Sequence, residues 1–262
     1  MTRWISKSIT YASATDRDAA FLSGKLDGML TDYPGATLLQ AKGSRLRLVM
    51  ETDGSLSLIA SKKSNVRNPD DLKGKNISVS GNTFVEYATD EVMKRACLHP
   101  GEVNKPEINN IPLRLMMLED GQISASFLPG PATAIALNDG HTALLNTRQM
   151  GLHCTGIVFS EKAITEKDEE IRRFITGYNL GVKYLQTRPQ NEWTEILVKE
   201  FGLQEKAAMQ IDLPDYRPAT RPSYHDIEKI IAWLKSKRAI PDYYPGENLV
   251  DTTFIPGTPE PQ

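Results

Sequence analysis

Apolar positions recur along this chain in two rhythms. As far as residue 159 they fall in short blocks bounded by glycine, proline, asparagine or aspartate, and beyond residue 168 they return every three or four positions. Bounded blocks predict strands, and the longer spacing predicts helices with one buried face. The blocks place strands at 8–11, 26–30, 45–50, 56–61, 77–80, 123–127, 142–145 and 154–159, with a weaker signal at 105–110. Asp53-Gly54 is a strong turn signal between 45–50 and 56–61. Helices are expected between them: one over 15–22 capped at Thr15-Asp16, one entered at Pro34, one over 85–97 capped by Asn82 or Thr83, one ending at Leu118, and one entered at Pro131. The later stripes predict helices over 168–185, 193–201 and 227–234, the last with Ser223 as its cap and Asp226 in its first turn. Residues 255–262, rich in proline, read as a frayed end.

The pattern also echoes itself. Gly24-Lys-Leu-Asp-Gly28, then Pro34, then Gly43 before 46–50, are matched by Gly121-Gln-Ile-Ser-Ala125, Pro131 and Gly140 before 142–145, each landmark displaced by 97 residues. Each copy reads as helix, closing glycine, strand, proline-entered helix, glycine and strand. Such units are common in α/β proteins, so chance recurrence is the plain alternative. The period is far longer than that of a solenoid, and two lobes of related build fit it better. The polar segment 65–75, which contains Pro69 and Gly74, is then the expected crossing between lobes, and 154–159 the strand that returns. This division gives residues 1–60 with 157–262 to the first lobe and 61–156 to the second, with the tail helices clamping the first.

Composition narrows the field. A net charge of -2 over 262 residues, without a basic run, argues against nucleic acid as a partner. No apolar run reaches the length of a membrane span, and Met-Thr-Arg-Trp-Ile-Ser-Lys-Ser at the start lacks the apolar core of a secretion signal. Cys97 and Cys154 stand outside any Cys-x-x-Cys or histidine-flanked metal spacing, and a disulfide between them is left open. His153 beside Cys154 is not a nucleophile–base pair, because neighbours on a strand point to opposite faces.

Four segments in order carry a family resemblance: Ala19-Ala-Phe-Leu-Ser-Gly-Lys-Leu-Asp-Gly28; Asn68-Pro-Asp-Asp-Leu-Lys-Gly-Lys-Asn-Ile77 leading to Gly81; Ser124-Ala-Ser-Phe-Leu-Pro-Gly-Pro131; and Trp233-Leu with Lys237 before Leu249-Val-Asp and Phe254. Together they resemble the periplasmic-type substrate-binding proteins of ABC importers, in the branch that binds nitrate, sulfonates, taurine and thiamine precursors such as hydroxymethylpyrimidine. The resemblance implies an α/β fold of the two-lobed type II periplasmic-binding-protein kind, each lobe a mixed sheet flanked by helices, with two segments crossing between lobes. Members of the branch open with a further strand and helix, so Met1 falls where their second strand would begin. A shortened first lobe then leaves a sheet edge to be filled, for example by a homodimer, and the missing unit would also have carried any signal peptide. A full-length form would be periplasmic or lipid-anchored outside the cell.

The function so implied is capture of a small polar or heteroaromatic molecule by hinge closure, for delivery to an ABC permease, with no cofactor, metal or catalytic residue. An enzyme on the same scaffold, of thiamine-precursor synthase or dehydratase type, and a ligand-sensing domain of a regulator are the alternatives. The binding groups should come from loops at the carboxyl ends of strands. These are Asp32, Tyr33 and Pro34; Gly81, Asn82, Thr83 and Phe84; and Leu128, Pro129 and Gly130, with Ser55 and His153 near the cleft floor. Each has a plainer role: Asn82 and Thr83 as helix caps, Asp32 as a complement to a helix dipole, Tyr33 and Phe84 as packing aromatics, His153 as a hinge residue. An ionised Asp32 opposes an anionic ligand, and with Tyr33 and Phe84 it suits a flat heteroaromatic bearing an amino group.

Overall fold

A computed structural model describes residues 7–11, 13–209 and 215–255. The first copy of the echo folds as α1 (Ala14–Leu22), β1 (Gly28–Asp32), α2 (Tyr33–Ala41) and β2 (Leu46–Thr52), and the second as α4 (Ile111–Asp120), β5 (Ala125–Pro129), α5 (Gly130–Asn138) and β6 (Thr142–Asn146). β1 with α2 and β5 with α5 keep the 97-residue displacement at both ends of each element. Gly24 and Gly121, both at φ +73, turn the chain after the leading helices, a backbone conformation that favours glycine. Between the copies lie β3 (Leu56–Ala60), a 3-10 turn at Pro69–Leu72, β4 (Ile77–Ser78) and α3 (Phe84–Arg95); after them come β7 (Thr155–Ser160), α6 (Glu161–Glu166), α7 (Asp168–Thr187), α8 (Gln190–Phe201), α9 (Glu205–Met209) and α10 (Tyr224–Ser236).

Among the described residues seven strands form two sheets, ordered β1-β7-β2 and β4-β5-β3-β6. In the first, β7 runs antiparallel to both neighbours; in the second, β3 runs antiparallel to β5 and β6, and β4 is parallel to β5. The two sheets are therefore built alike: a strand that has just crossed from the other lobe sits between the two strands of each repeat. Beside β5 the second sheet has β4, whereas among the described residues β1 has no outer neighbour.

This topology corrects several expectations. β2 and β3 do not form a hairpin at Asp53-Gly54; they part into different sheets, so the outward crossing is 53–55 and the return runs from 147 to 154. Segment 65–75 lies within the second lobe, between β3 and β4, where its Asn68–Asp71 capping box closes the 3-10 turn. β3 thus leaves the first lobe, to which a boundary at residue 60 had assigned it. Residues 8–11 form no strand, and 105–110 contributes one isolated bridge, at Glu107, next to another at Asn104. Ser13 rather than Thr15 or Asp16 caps α1, its Oγ accepting from Asp16 N at 3.1 Å. Two of the tail helices pack on the first repeat as expected: α7 on its sheet, through Ile171 and Ile175 against Val49, Ile157 and Phe159, and α10 on α2. α8 and α9 instead join α5 of the second lobe around Ala134, Leu203 and Ala208. The expected frayed end lies, from residue 256, outside the described residues.

One large apolar cluster runs through both lobes. Tyr33, Ala36 and Leu39 of α2, Phe84, Tyr87 and Ala88 of α3, and Ile227, Ile230 and Leu234 of α10 meet in it, together with Met150, Leu152 and Cys154 of the return crossing. α10 also holds α3 by polar contacts: Trp233 Nε1 donates to Asp90 Oδ2 at 3.0 Å, Lys237 pairs with Glu86, and the Trp233 ring meets Tyr87 edge-on. Among the described residues no helix is long and apolar enough to cross a membrane.

Candidate functional site

The crossings are laced together at both ends. In the first sheet Thr52 Oγ1 donates to Thr155 Oγ1 at 2.9 Å; in the second Leu56 N donates to Thr147 Oγ1 at 3.1 Å and Thr147 N to Leu56 O at 2.9 Å. Ser55 lies in the first crossing next to Leu56, which pairs with Pro129, so Ser55, Pro129 and Gly130 come together. His153, half-buried, lies in the return crossing beside Cys154, whose carbonyl accepts from Tyr33 N at 2.8 Å. The crossings and the ends of β1, β4 and β5 thereby gather most of the expected site residues at the junction of the lobes.

Asp32 and α3 face each other there. Asp32 caps α2, Oδ1 accepting from Gly35 N at 2.7 Å, while Oδ2 accepts from Phe84 N at 3.0 Å in the other lobe. Burial pushes its carboxyl above the ordinary value, although the Phe84 and Gly35 N–H groups and Arg17 pull the other way. Pro34 is buried in the first turn of α2. Thr83 caps α3, its hydroxyl accepting from Val85 N and donating to Ser80 O. Asn82 takes the left-handed conformation at φ +56 and its N–H donates to Glu86 Oε2 at 2.7 Å. A Cβ at Gly81 would stand 3.0 Å from the Glu107 carboxylate. Tyr33 and Phe84 are buried in the shared core, and the Tyr33 hydroxyl donates to Glu51 Oε2 at 3.0 Å. Leu128 is fully buried as well, its carbonyl accepting from Thr133 Oγ1.

Four charged residues and a tyrosine lie outside the expected set. Glu51 and Asp53, at the carboxyl end of β2, are buried and share Arg217, whose Nε donates to Asp53 Oδ1 at 2.7 Å and whose other donors reach Glu51 Oε1 and Asp53 Oδ2. Tyr178 has a buried hydroxyl without a hydrogen-bond partner among the described residues, and burial followed by the nearby Asp53 charge pushes its pKa up to about 12. In the second lobe Arg114 is buried, its guanidinium donating to Ile108 O, Phe127 O and Ser80 Oγ, and burial draws its pKa down to about 10. A polar residue read singly gives no sign of these long-range pairings; alternation along β2, which puts Glu51 and Asp53 on one face, is the signal available for two of them.

Cys97 and Cys154 are both free. Burial, with acidic neighbours adding to it, raises the Cys154 thiol well above its ordinary value, which keeps it protonated and unreactive. Among the described residues no group of His, Cys, Asp or Glu is arranged to hold a metal ion. One cavity of about 680 Å3 opens beside Asn76, Lys105 and Gln122, and another of about 430 Å3 beside Phe21, Arg45 and Lys167. Neither of these two is lined by the residues gathered at the junction of the lobes.

Comparison with known proteins bears on this arrangement. No curated protein matches the chain. Among solved structures, the ligand binding component of an ABC-type import system from Staphylococcus aureus, with zinc bound, is similar at a TM-score of 0.78 and 14% identity over 94% of this chain and 85% of that one. The alkanesulfonate-binding protein SsuA from Xanthomonas axonopodis pv. citri, bound to MOPS, gives 0.77 and 18% identity over 89% and 83%. The periplasmic aliphatic sulphonate binding protein SsuA from Escherichia coli gives 0.78 and 14% identity over 95% and 83%. These likenesses establish the two-lobed periplasmic-binding-protein fold. The model of the family described as NMT1/THI5 like matches residues 7–192, and the chain belongs to that family.

Proposed function

We propose that this protein is the solute-binding component of an ABC import system and that it holds a small polar or heteroaromatic molecule between its lobes. The observation that carries the reading is the pair of hydrogen-bonded crossings beneath facing groups from the two lobes, Asp32 on one side and the first turn of α3 on the other. Ligands bind at the carboxyl ends of strands in such sheets, and two crossings allow the lobes to rotate about a hinge. We take the first lobe as the sheet β1-β7-β2 with α7, and the second as β4-β5-β3-β6 with α8 and α9. Asp32, Ser55, Gly81, Asn82, Thr83, Pro129, Gly130 and His153 are the proposed lining, with Tyr33, Pro34, Phe84 and Leu128 as its apolar backing.

The ligand we favour carries an amino group on a flat ring. The SsuA proteins bind sulfonates, yet here Asp32 brings a carboxylate to the end of β1 on this side of the junction, while Glu51 and Asp53 nearby are held by Arg217. An anion would meet that charge, whereas an amino-substituted heteroaromatic would be drawn to it. Calorimetric titration with an aminopyrimidine, taurine and nitrate tests the preference: heat of binding with the pyrimidine is expected, and binding of taurine without the pyrimidine would reverse it. A permease partner, a periplasmic or lipid-anchored setting and self-association at the open edge of β1 belong to the same reading.

A further inference from the structure

Capping a helix takes one acceptor oxygen, and Asp32 uses both of its own. Oδ1 closes the first turn of α2 through Gly35 N; Oδ2 reaches Phe84 N, the first residue of α3, which belongs to the other lobe. Thr83, the cap of α3, has committed its hydroxyl to Val85 N and Ser80 O, so the acceptor for Phe84 N is supplied from across the junction. Gly35 makes room for this, since a Cβ there would stand 2.9 Å from Asp32 Oδ1 and 3.0 Å from Thr31 Oγ1. Two helix N-termini, each a partial positive charge, thus converge on one half-buried carboxylate.

We propose that Asp32 is a latch between the lobes: a protein carboxylate that ties the N-termini of α2 and α3 together and has to let go of Phe84 before the junction opens. A charge-assisted hydrogen bond is about twice as strong as a neutral one, and this one is part-buried. Any solute that enters between the lobes competes with it, so the latch is an autoinhibitory contact and sets part of the cost of binding. The inference concerns the protein's own groups, and its test needs no ligand, so it stands or falls separately from the solute-binding reading.

The test is amide hydrogen exchange at Phe84, read by NMR in the full chain beside two variants. Asp32→Asn keeps the shape but offers one acceptor in place of two; Asp32→Ser keeps a good cap for α2 and is too short to bridge. In both, exchange at Phe84 should become faster by roughly tenfold or more, while amides in the middle of α3 keep their protection. The radius of gyration measured by X-ray scattering should rise in the same variants. If Asp32→Asn does not fold, Asp32→Ser decides alone, and Gly35→Ala, which crowds the carboxylate out of place, should move Phe84 the same way. A folded variant whose Phe84 amide exchanges as slowly as in the parent protein overturns the proposal.

Discussion

Glu86 illustrates what a single side chain does at the junction. It is buried, accepts from Asn82 N, and is paired with Lys237 of α10 and with Lys105 at 3.3 Å. Burial on its own would raise its pKa, but the Lys237 ammonium, the Asn82 N–H and Lys105 together hold it below the ordinary 4.5. A carboxylate lowered in the folded state contributes stability that is present above its unfolded value and is lost as pH falls through its folded value. Urea unfolding should therefore show stability declining below pH 4.5 in the parent protein and a shallower acid decline in Glu86→Gln. At neutral pH the same substitution should cost about 1–3 kcal/mol, because two ammonium groups lose their buried partner. Asn82, by holding Glu86 through its backbone, links this pair to the first turn of α3.

At the scale of elements, the first sheet depends on two glycines. A Cβ at Gly156 in β7 would stand 2.6 Å from Met50 O and 2.7 Å from a Leu48 methyl, and one at Gly28 in β1 2.5 Å from the Phe159 ring. Gly156→Ala should lower stability by about 1–3 kcal/mol through overpacking, measurable as a drop in melting temperature, whereas Gly43→Ala meets no neighbour within 4 Å and carries only its backbone strain. Much of this architecture was legible: closing glycines and entering prolines marked the repeat units, and Ser223 caps α10 as its position implied. The misses share a cause. Strand ends follow the pairing partner rather than apolarity, so β1 extends to Asp32 because Asp32 pairs with Thr155. Asp53-Gly54 reads locally as a hairpin turn, and nothing local says that β2 and β3 will pair with different strands from elsewhere in the chain. Of the candidate site, the sequence marks loops, and the bonds between them it does not show. Asp32 to Phe84 and Arg217 to Glu51 join residues far apart in sequence, through groups whose local role as cap or surface charge looks complete.

For the whole molecule, the decisive feature is that each lobe's sheet is completed by a strand from the far side of a crossing. On the ribosome, β1 and β2 emerge early but have no strand between them until β7 is made at 155–160, whereas every strand of the second sheet is synthesised by residue 146. The second lobe can therefore close its sheet while the first still exposes Leu46, Leu48 and Met50, all buried in the finished protein. Pairings this distant in sequence are slow to form and leave edges open to other chains meanwhile. Chains truncated after residue 150 and released should resist protease over 56–146 and be cut within 28–52, whereas the full chain should resist over both; protection of 28–52 in the truncated chain would reverse that order. The hinge thus carries a cost in time, since the lobe synthesised first is the one that finishes last.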